Sequence, residues 1–472
     1  MAKYKVIPGG VCAAKGFSAS GVHAGFRANP NKLDLAIIKA DVRCAAAGVY
    51  TTNKVYGAPI KVDRAHLVDG HAQAVLVNSG NANTCAANGV DLANECCALV
   101  AQQLGIAAED VLPASTGVIG QPMTIDPFAR GIPAAAARLQ ASAEGSSEAA
   151  KAIMTTDTYE KEYAIEFELA GKTCRLGAIG KGSGMIAPNM ATMLAFYTTD
   201  AAVSPELLQK ALRAVVPTTY NQMSVDLDTS TNDTLLLLAS GLAGNEPVVT
   251  EGPEYDKFLA ALGAVAEHMC ALHASDGEGA THLITCEVTH APTHEIARAV
   301  AKSVVCSNLF KAAVFGRDAN WGRILCAIGY TPGDFSIDKV SVRIASKAGE
   351  VFVCENAAYH PFSEDEAYAV LGEHDILLLN HNYRTRMGEL DLILYKADTI
   401  VFVEVKTRTS AQCAAPAEAV DYYKQQRLIA VAGQYLQQSP YADANIRFDV
   451  VEVLPAGSGW QVHCIRDAFA SE

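Results

Sequence analysis

The chain has 472 residues, half of them hydrophobic and 19% charged, with a formal net charge of −14. That length suggests two or three domains and a large core, while the acidic balance favours solubility and argues against non-specific nucleic-acid binding. The opening residues lack a signal-peptide core, no stretch approaches the ~18 apolar residues of a membrane span, and the thirteen cysteines include no Cys-x-x-Cys pair, so a cytoplasmic protein with reduced, mostly buried thiols is expected.

The first half alternates short apolar strands, such as Ala74–Asn78, with alanine-rich helical stretches, such as Val90–Leu104. Polar clusters punctuate it: Asn78-Ser-Gly-Asn-Ala-Asn83, then Ser115-Thr-Gly-Val-Ile-Gly120, then Met154-Thr-Thr-Asp-Thr158. The segment from Lys181 to Phe196 sets Thr192 directly after Ala191, at the end of a Gly/Pro-broken loop and the start of an apolar run. The Thr192 hydroxyl can attack the Ala191 carbonyl, and hydrolysis of the resulting ester frees an amine that serves as base for that hydroxyl. An α-amine with a pKa of roughly 7.7–8 keeps a useful neutral fraction near neutral pH. By itself Ala-Thr is a weak signal, because most threonines opening an apolar run simply begin a strand.

Ser204 caps a helix with Pro205 at its first position, Leu207, Leu208, Ala211, Leu212 and Val215 form its apolar face, and Pro217 stops it. Strands are expected at Thr234–Leu238 and His282–Val288. Further polar clusters follow at Asp228–Thr234, Asp276-Gly-Glu-Gly-Ala-Thr281 and Phe315–Arg323. The pattern is α/β, with strands and helices mixed in an α+β manner. Any one of these clusters reads as a turn or cap.

Taken in order, those motifs carry a resemblance. Thr51-Thr-Asn-Lys54, Asn78–Asn83, Ser115–Gly120, Lys181-Gly-Ser-Gly-Met-Ile186, Met190-Ala-Thr-Met-Leu194, Asp276–Gly279 and Phe315–Arg323 resemble the ornithine acetyltransferase (ArgJ) family over residues 1–371. The resemblance implies a self-cleaving N-terminal-threonine-nucleophile fold, cut between Ala191 and Thr192 into an α chain (1–191) and a β chain (192–371), assembled as α2β2. It implies acetyl transfer from N-acetylornithine to glutamate, with acetyl-CoA as a further donor, through a Thr192 ester and without a cofactor. Thr116 and Gly117 would stabilise the oxyanion, and Thr155, Lys181, Thr192 and Glu278 would contact substrate. Leu227, in Val225-Asp-Leu-Asp228, stands where that family usually has glycine, which could crowd a tight turn. The family's closing segment fades after Leu371, although Asn380-His-Asn-Tyr-Arg-Thr385 mimics its ending.

From Asp375 the pattern becomes strand, hairpin, strand and long helix, and a boundary is placed near 372. Leu390–Leu394 and Ile400–Val405 flank a Lys396-Ala397-Asp398 turn, and Val420–Gln438 is an amphipathic helix with Leu428, Val431, Ala432, Tyr435 and Leu436 on one face. Strand alternation and the hairpin set Asp391 opposite Glu404, with Lys406 on the same face as Glu404. Two carboxylates and a lysine suit Mg²⁺ and phosphodiester hydrolysis, or else make an ordinary exposed strand face. Asn382-Tyr-Arg384, Gly388–Ile393, Phe402–Arg408, Tyr423–Leu428 and Arg447–Val451 resemble the YraN-type family of endonuclease-like proteins. That resemblance implies a small α/β domain of PD-(D/E)xK fold over residues 372–472, with Asp391 and Glu404 as metal ligands and Asp391, Glu404 and Lys406 catalytic. DNA would be its partner, yet the segment holds nine Lys+Arg against thirteen Asp+Glu, so no basic footprint is evident.

The leading reading is a fusion of the two. The alternatives are a C-terminal unit that only binds nucleic acid or props the structure, and a first part that is a hydrolase or inactive.

Overall fold

The computed structural model describes residues 4–187, 193–372, 377–385, 388–396, 399–407, 420, 422–438, 444–456 and 459–469. It comprises two compact units. The first takes Met1–Phe315, Asn320–Ser341 and Glu355–Ala358; the second takes Gly316–Ala319, Val342–Cys354 and Tyr359–Glu472.

The first unit is built on a nine-stranded sheet. Its strands are β1 (Tyr4–Val6), β2 (Phe17–Val22), β3 (Leu35–Tyr50), β4 (His71–Asn81), β5 (Val111–Val118), β6 (Lys161–Leu169), β7 (Lys172–Lys181), β8 (Leu194–Thr199) and β9 (Thr234–Ala239). The order is β1-β6-β7-β8-β9-β3-β4-β5, with β2 on β3. β4 and β5 run parallel, as do β8 and β9, and the other neighbours are antiparallel. The helices are α1 (Ala58–His66), α2 (Gly89–Leu104), α3 (Asp126–Ala137), α4 (Ala143–Ile153), α5 (Pro205–Val215), α6 (Pro253–Ser275), α7 (His294–Cys306), α8 (Asn308–Phe315) and α9 (Trp321–Gly329).

Two central strands show why the sequence makes this sheet. β9 is Thr-Leu-Leu-Leu-Leu-Ala, apolar at every pleat because both faces are covered. Leu235 and Leu237 enter the core under α5 and α6, whereas Leu236 and Leu238 enter the core under α4. In β8 the same split sends Ala195 and Tyr197 one way and Leu194 and Phe196 the other. α5 forms where expected, with Ser204 Oγ accepting from Leu207 N at 3.4 Å and the five apolar residues named above all buried. α6 is long and apolar, but Tyr255, Phe258, Leu262, Val265 and Met269 bury it against the sheet.

Two expectations are corrected. His282–Val288 alternates half-buried and exposed residues as a strand would, but it has no ladder partner among the described residues and is irregular. The cysteines are less buried than expected: Cys44, Cys96, Cys97, Cys174 and Cys354 are buried, while Cys85, Cys326 and Cys464 are exposed. Burial raises the buried thiols, Cys44 to about 12 and Cys96 well above the ordinary thiol range, so those two are inert at neutral pH.

In the second unit β10 (Val342–Ser346) pairs antiparallel with β11 (Gly349–Glu355), followed by β12 (Ala358–Tyr359) and α10 (Glu364–Val370). A five-stranded sheet then runs in chain order: β13 (Leu377–Thr385), β14 (Gly388–Lys396), β15 (Thr399–Thr407), β16 (Asn445–Ala456) and β17 (Gly459–Phe469). β15 and β16 are parallel, joined through α11 (Tyr422–Gln438), whose Leu428, Val431 and Ala432 cover Ile393, Ile400 and Phe402. Residues 397–398, the expected turn, lie outside the described residues.

Candidate active site

The predicted polar clusters of the first unit converge where β7 ends. Lys181, its last residue, pairs with Leu194 at the start of β8, and Leu194 in turn pairs with Thr234 at the start of β9. Ala191 and Thr192 lie outside the described residues. The chain on either side is closely held: Thr229 Oγ1 donates to Ala187 O at 2.9 Å, and Thr234 N donates to Met193 O at 2.9 Å.

Lys181 is buried, and its Nζ donates to Thr116 Oγ1 at 3.3 Å. A hydroxyl that accepts from an ammonium keeps its own hydrogen for another acceptor, so Thr116 is arranged as a donor. Burial lowers the Lys181 pKa, while Asp157 and Asp233 pull it back up.

Gly117 follows with φ +128°, and a Cβ there would sit 2.3 Å from Gly80 C and 2.7 Å from Asn81 N. Only glycine fits, for both conformation and space. The turn is welded from behind. Ser115 Oγ donates to Asn78 Oδ1 at 2.6 Å, and Asn78 Nδ2 donates to Asn81 O at 2.9 Å. Asn232 Nδ2 donates to Ala82 O at 2.6 Å and to Ser115 O at 2.9 Å, and Thr84 Oγ1 donates to Asn232 Oδ1 at 2.6 Å. A backbone N–H and a hydroxyl on so fixed a turn make a preorganised pair of donors.

A buried ionic cluster supports the other side. Lys161 is fully buried, and its Nζ reaches Asp157 Oδ1 at 2.7 Å and Asp276 Oδ2 at 2.5 Å. Asp157 also accepts from Gly182 N at 2.7 Å and from Thr155 N at 2.9 Å. Burial would raise this carboxyl, but Lys181 and Lys161 outweigh it and hold it well below the usual range. Glu278 is exposed, its amide donating to Ser183 O at 3.0 Å and its carboxyl lying against Gly184. Thr116, Thr155 and Glu278 are therefore linked, directly or through Asp157, to residues 181–184, and Gly117 follows Thr116 in the chain.

Asp157, Lys161, Asn232 and Asp233 were not singled out from sequence. Lys161 stands in Glu160-Lys-Glu162, which reads as a solvated strand face, and nothing local betrays its burial. Asn232 and Asp233 lay within a noted polar cluster but looked like turn residues. The Leu227 expectation is met: its φ is +72°, and it lies half-exposed in a turn where Asp226 Oδ1 accepts from Ile186 N and Asp228 N at 2.8 and 3.0 Å.

In the second unit the β14–β15 ladder runs from Lys396–Thr399 to Leu392–Val403, and Asp391 and Glu404 are the next residues along the two strands. The side chains of Asp391 and Lys406 lie outside the described residues. Glu404 is buried and ion-paired with Lys424 at 3.1 Å. Among the described residues no group of three or more His, Cys, Asp or Glu is gathered as a metal site. The Lys424 ammonium holds one oxygen of Glu404, Oε1.

Comparison with known proteins agrees with two families. The ArgJ family profile matches residues 18–389, and an uncharacterised family, UPF0102, matches residues 363–453. The arginine biosynthesis bifunctional protein ArgJ of Caldanaerobacter subterraneus subsp. tengcongensis is 46% identical over 376 residues, 79% of this chain and 92% of that protein. The protein of the same name from Symbiobacterium thermophilum is 48% identical over 358 residues, 75% of this chain and 89% of its own length. Among solved structures, an ornithine acetyltransferase from Mycobacterium tuberculosis complexed with ornithine is 34% identical, covering 40% of this chain and 100% of that one, with a TM-score of 0.37.

Proposed function

The chain belongs to the ArgJ family and is an acyltransferase of arginine biosynthesis, and on that premise we propose that Thr192, freed by cleavage after Ala191, carries acetyl from N-acetylornithine to glutamate. Thr192 Oγ attacks the acetamide carbonyl, its proton passes to the Thr192 amine, and the carbonyl oxygen becomes an anion between Thr116 Oγ1 and Gly117 N. Collapse breaks the C–N bond, the proton goes to the leaving ornithine amine, and the acetyl group remains as a threonine ester. The glutamate amine then attacks that ester through the same oxyanion, the bond from the acetyl carbon to Thr192 Oγ breaks, and a proton from the attacking amine returns by way of the Thr192 amine to Thr192 Oγ, giving N-acetylglutamate. Acetyl-CoA would acylate the same hydroxyl, releasing its thiol. No cofactor enters either half-reaction.

The observation that carries this reading is the Lys181–Thr116 contact at 3.3 Å beside a turn that only Gly117 can make. Lys181 is donor-only and suits a substrate carboxylate. Glu278, exposed at the rim, suits the ornithine side-chain ammonium, and Thr155 lies beside Asp157. The α and β chains would pair as α2β2.

Intact mass of the purified chain is the direct test. Fragments ending at Ala191 and beginning at Thr192, with transfer of labelled acetyl to glutamate exceeding free acetate release, support the proposal. An uncleaved chain whose behaviour is unchanged by Thr192→Ala overturns it, and acetate release alone would make the unit a hydrolase.

For the second unit, the placement of Asp391 and Glu404 one residue beyond the Leu392–Val403 rung, each on its own strand, is the feature that favours metal-dependent nuclease chemistry on DNA. Mg²⁺ there would share the Glu404 carboxylate with Lys424, which holds Oε1. Cleavage of branched DNA that requires Mg²⁺ and is lost in Asp391→Ala would establish it; its absence makes the unit a binding or structural appendage.

A further inference from the structure

One cation beside the turn at Gly117 has no acid to pair with. Arg27 is half-buried in the loop between β2 and β3. Among the described residues its guanidinium makes no ion pair, and its one hydrogen bond is donated by Nη2 to Met154 O.

The loop is built to hold this arginine in place. Asp34, wholly buried, accepts from Ala24 N at 2.5 Å and from Arg27 N at 3.0 Å. Its own carbonyl accepts from Ser79 N at 2.9 Å, which ties the loop to β4. Phe26 packs edge-on against Phe128, with ring centroids 4.8 Å apart. The Asp34 carboxylate is thus committed to backbone amides and to His23, 3.2 Å away, rather than to the guanidinium.

From there the side chain runs along the strand that backs Thr116 and Gly117. Ser79 pairs with Thr116 and Gly80 with Gly117 in the β4–β5 ladder. A Cβ built on Gly80 would meet Arg27 Cγ at 3.4 Å, just as one built on Gly117 would meet the Gly80 carbonyl carbon at 2.3 Å. At its far end the guanidinium reaches the carbonyl of Met154, the residue before Thr155. Arg27 therefore spans the two segments, 116–117 and 155, to which substrate roles were given above.

We infer that Arg27 is a substrate-binding residue: its guanidinium, together with Lys181, holds the α-carboxylate that N-acetylornithine and glutamate share. This rests on the reading of the reaction given above. Only a nitrogen and a carbon separate the acetyl carbonyl of N-acetylornithine from that carboxylate. A group that receives it must therefore stand next to the donors that receive the oxyanion. Lys181 meets one of those donors, Thr116, from β7, and Arg27 lies against the strand beside the other. An ammonium that already gives a hydrogen to Thr116 serves the two carboxylate oxygens poorly. A guanidinium offers parallel N–H groups that match both oxygens at once. Burial chiefly lowers the Lys181 pKa, and Arg27 is among the charges that lower it further; a bound carboxylate relieves that repulsion. No bond to Arg27 forms or breaks in either half-reaction.

The bond to Met154 O also serves the fold. Met154 is the C-cap of α4, and a cation there steadies the helix end. An arginine that did only this would leave substrate preference untouched, and that difference separates the two roles.

Arg27→Gln in the full chain is measured with N-acetylornithine, with glutamate and with N-acetylputrescine, which is N-acetylornithine without its carboxylate. Glutamine keeps an N–H that can reach Met154 O, so the variant should fold and melt near the wild-type temperature. We expect KM to rise roughly 10–100-fold for both N-acetylornithine and glutamate, the scale of a lost charged hydrogen bond. The contact is made in ground and transition states alike, so kcat should stay within about threefold. For N-acetylputrescine kcat/KM should keep its wild-type value, so the preference for the carboxylated donor shrinks by the same factor. Arg27→Lys should recover part of that preference, having the charge without the fork. Calorimetric binding of the two acetylated amines repeats the comparison without turnover.

A folded variant that keeps the wild-type preference for N-acetylornithine over N-acetylputrescine overturns the inference. So does a KM that rises for one substrate alone, since the carboxylate in question is common to both. Misfolding of both variants would assign Arg27 to the fold and overturn it too. A wild type that binds N-acetylornithine but neither cleaves nor transfers acetyl would instead remove the reading of Thr192, and the binding comparison then decides the role of Arg27 by itself.

Discussion

Gly117→Ala is the sharpest perturbation of the turn proposed to bind the oxyanion. A Cβ at this position meets the Gly80 carbonyl carbon at 2.3 Å and the Asn81 nitrogen at 2.7 Å, both backbone atoms. Ordinary contact begins near 3.4 Å, so the turn must open by about 1 Å. Gly80 cannot easily retreat, since it has φ +109° and lies close to the Phe26 backbone. Nor can Asn81 move without disturbing its bond from Asn78. The displacement therefore falls on the Gly117 N–H itself. A 1 Å error at a catalytic group can cost about 10²-fold, and loss of one oxyanion donor roughly 10²–10³-fold, or about 3–4 kcal/mol.

The expected outcome is that kcat for acetyl transfer falls by roughly 10²–10³ while KM changes little, because the donor acts on charge that develops only in the transition state. Steady-state transfer from N-acetylornithine to glutamate, with the acylation burst followed separately, measures this. Thr116→Val should give a loss of similar size, and Thr116→Ser should keep most of the rate. A Gly117→Ala enzyme of native stability with kcat near the wild-type value would show that this turn does not bind the oxyanion.

Three further predictions concern the frame around the site. Lys161→Met leaves Asp157 and Asp276 buried without their cation, and chemical denaturation should show a loss of about 3–5 kcal/mol; a loss below ~1 kcal/mol would mean the cluster is hydrated. His273 is fully buried, with Nδ1 2.5 Å from Met269 O, and burial lowers its pKa from 6.5 to about 4. Between those values the unfolded chain binds the extra proton, so stability should fall as pH drops from 6.5 toward 4, by on the order of 3 kcal/mol. Stability measured across that range should flatten in His273→Phe, and an unchanged slope would refute the assignment. Leu227→Asn removes a left-handed leucine costing roughly 1–2 kcal/mol and gives up the contacts of a half-exposed side chain. A melting temperature higher by a couple of degrees is expected, and a clear drop would show that Leu227 contributes by packing.

Sequence reasoning located elements best where periodicity and punctuation agreed. Ser204-Pro205 started α5 where the structure starts it, and the unbroken leucines of β9 fit a strand covered on both faces. It failed at His282–Val288, where alternation was present without a partner strand; a strand is a property of two segments, and local pattern sees one. The turn at Gly117 was legible because Ser-Thr-Gly-Val-Ile-Gly carries its glycine in the chain. The ionic cluster was not, because Asp276 lies far along the chain from Asp157 and Lys161 and each looks like a surface charge. Burial of a charge is decided by what packs over it, which here is α6 and the end of β7. Glu404 shows the same limit: the hairpin register was readable from sequence, but the ion pair with Lys424 on α11 was not.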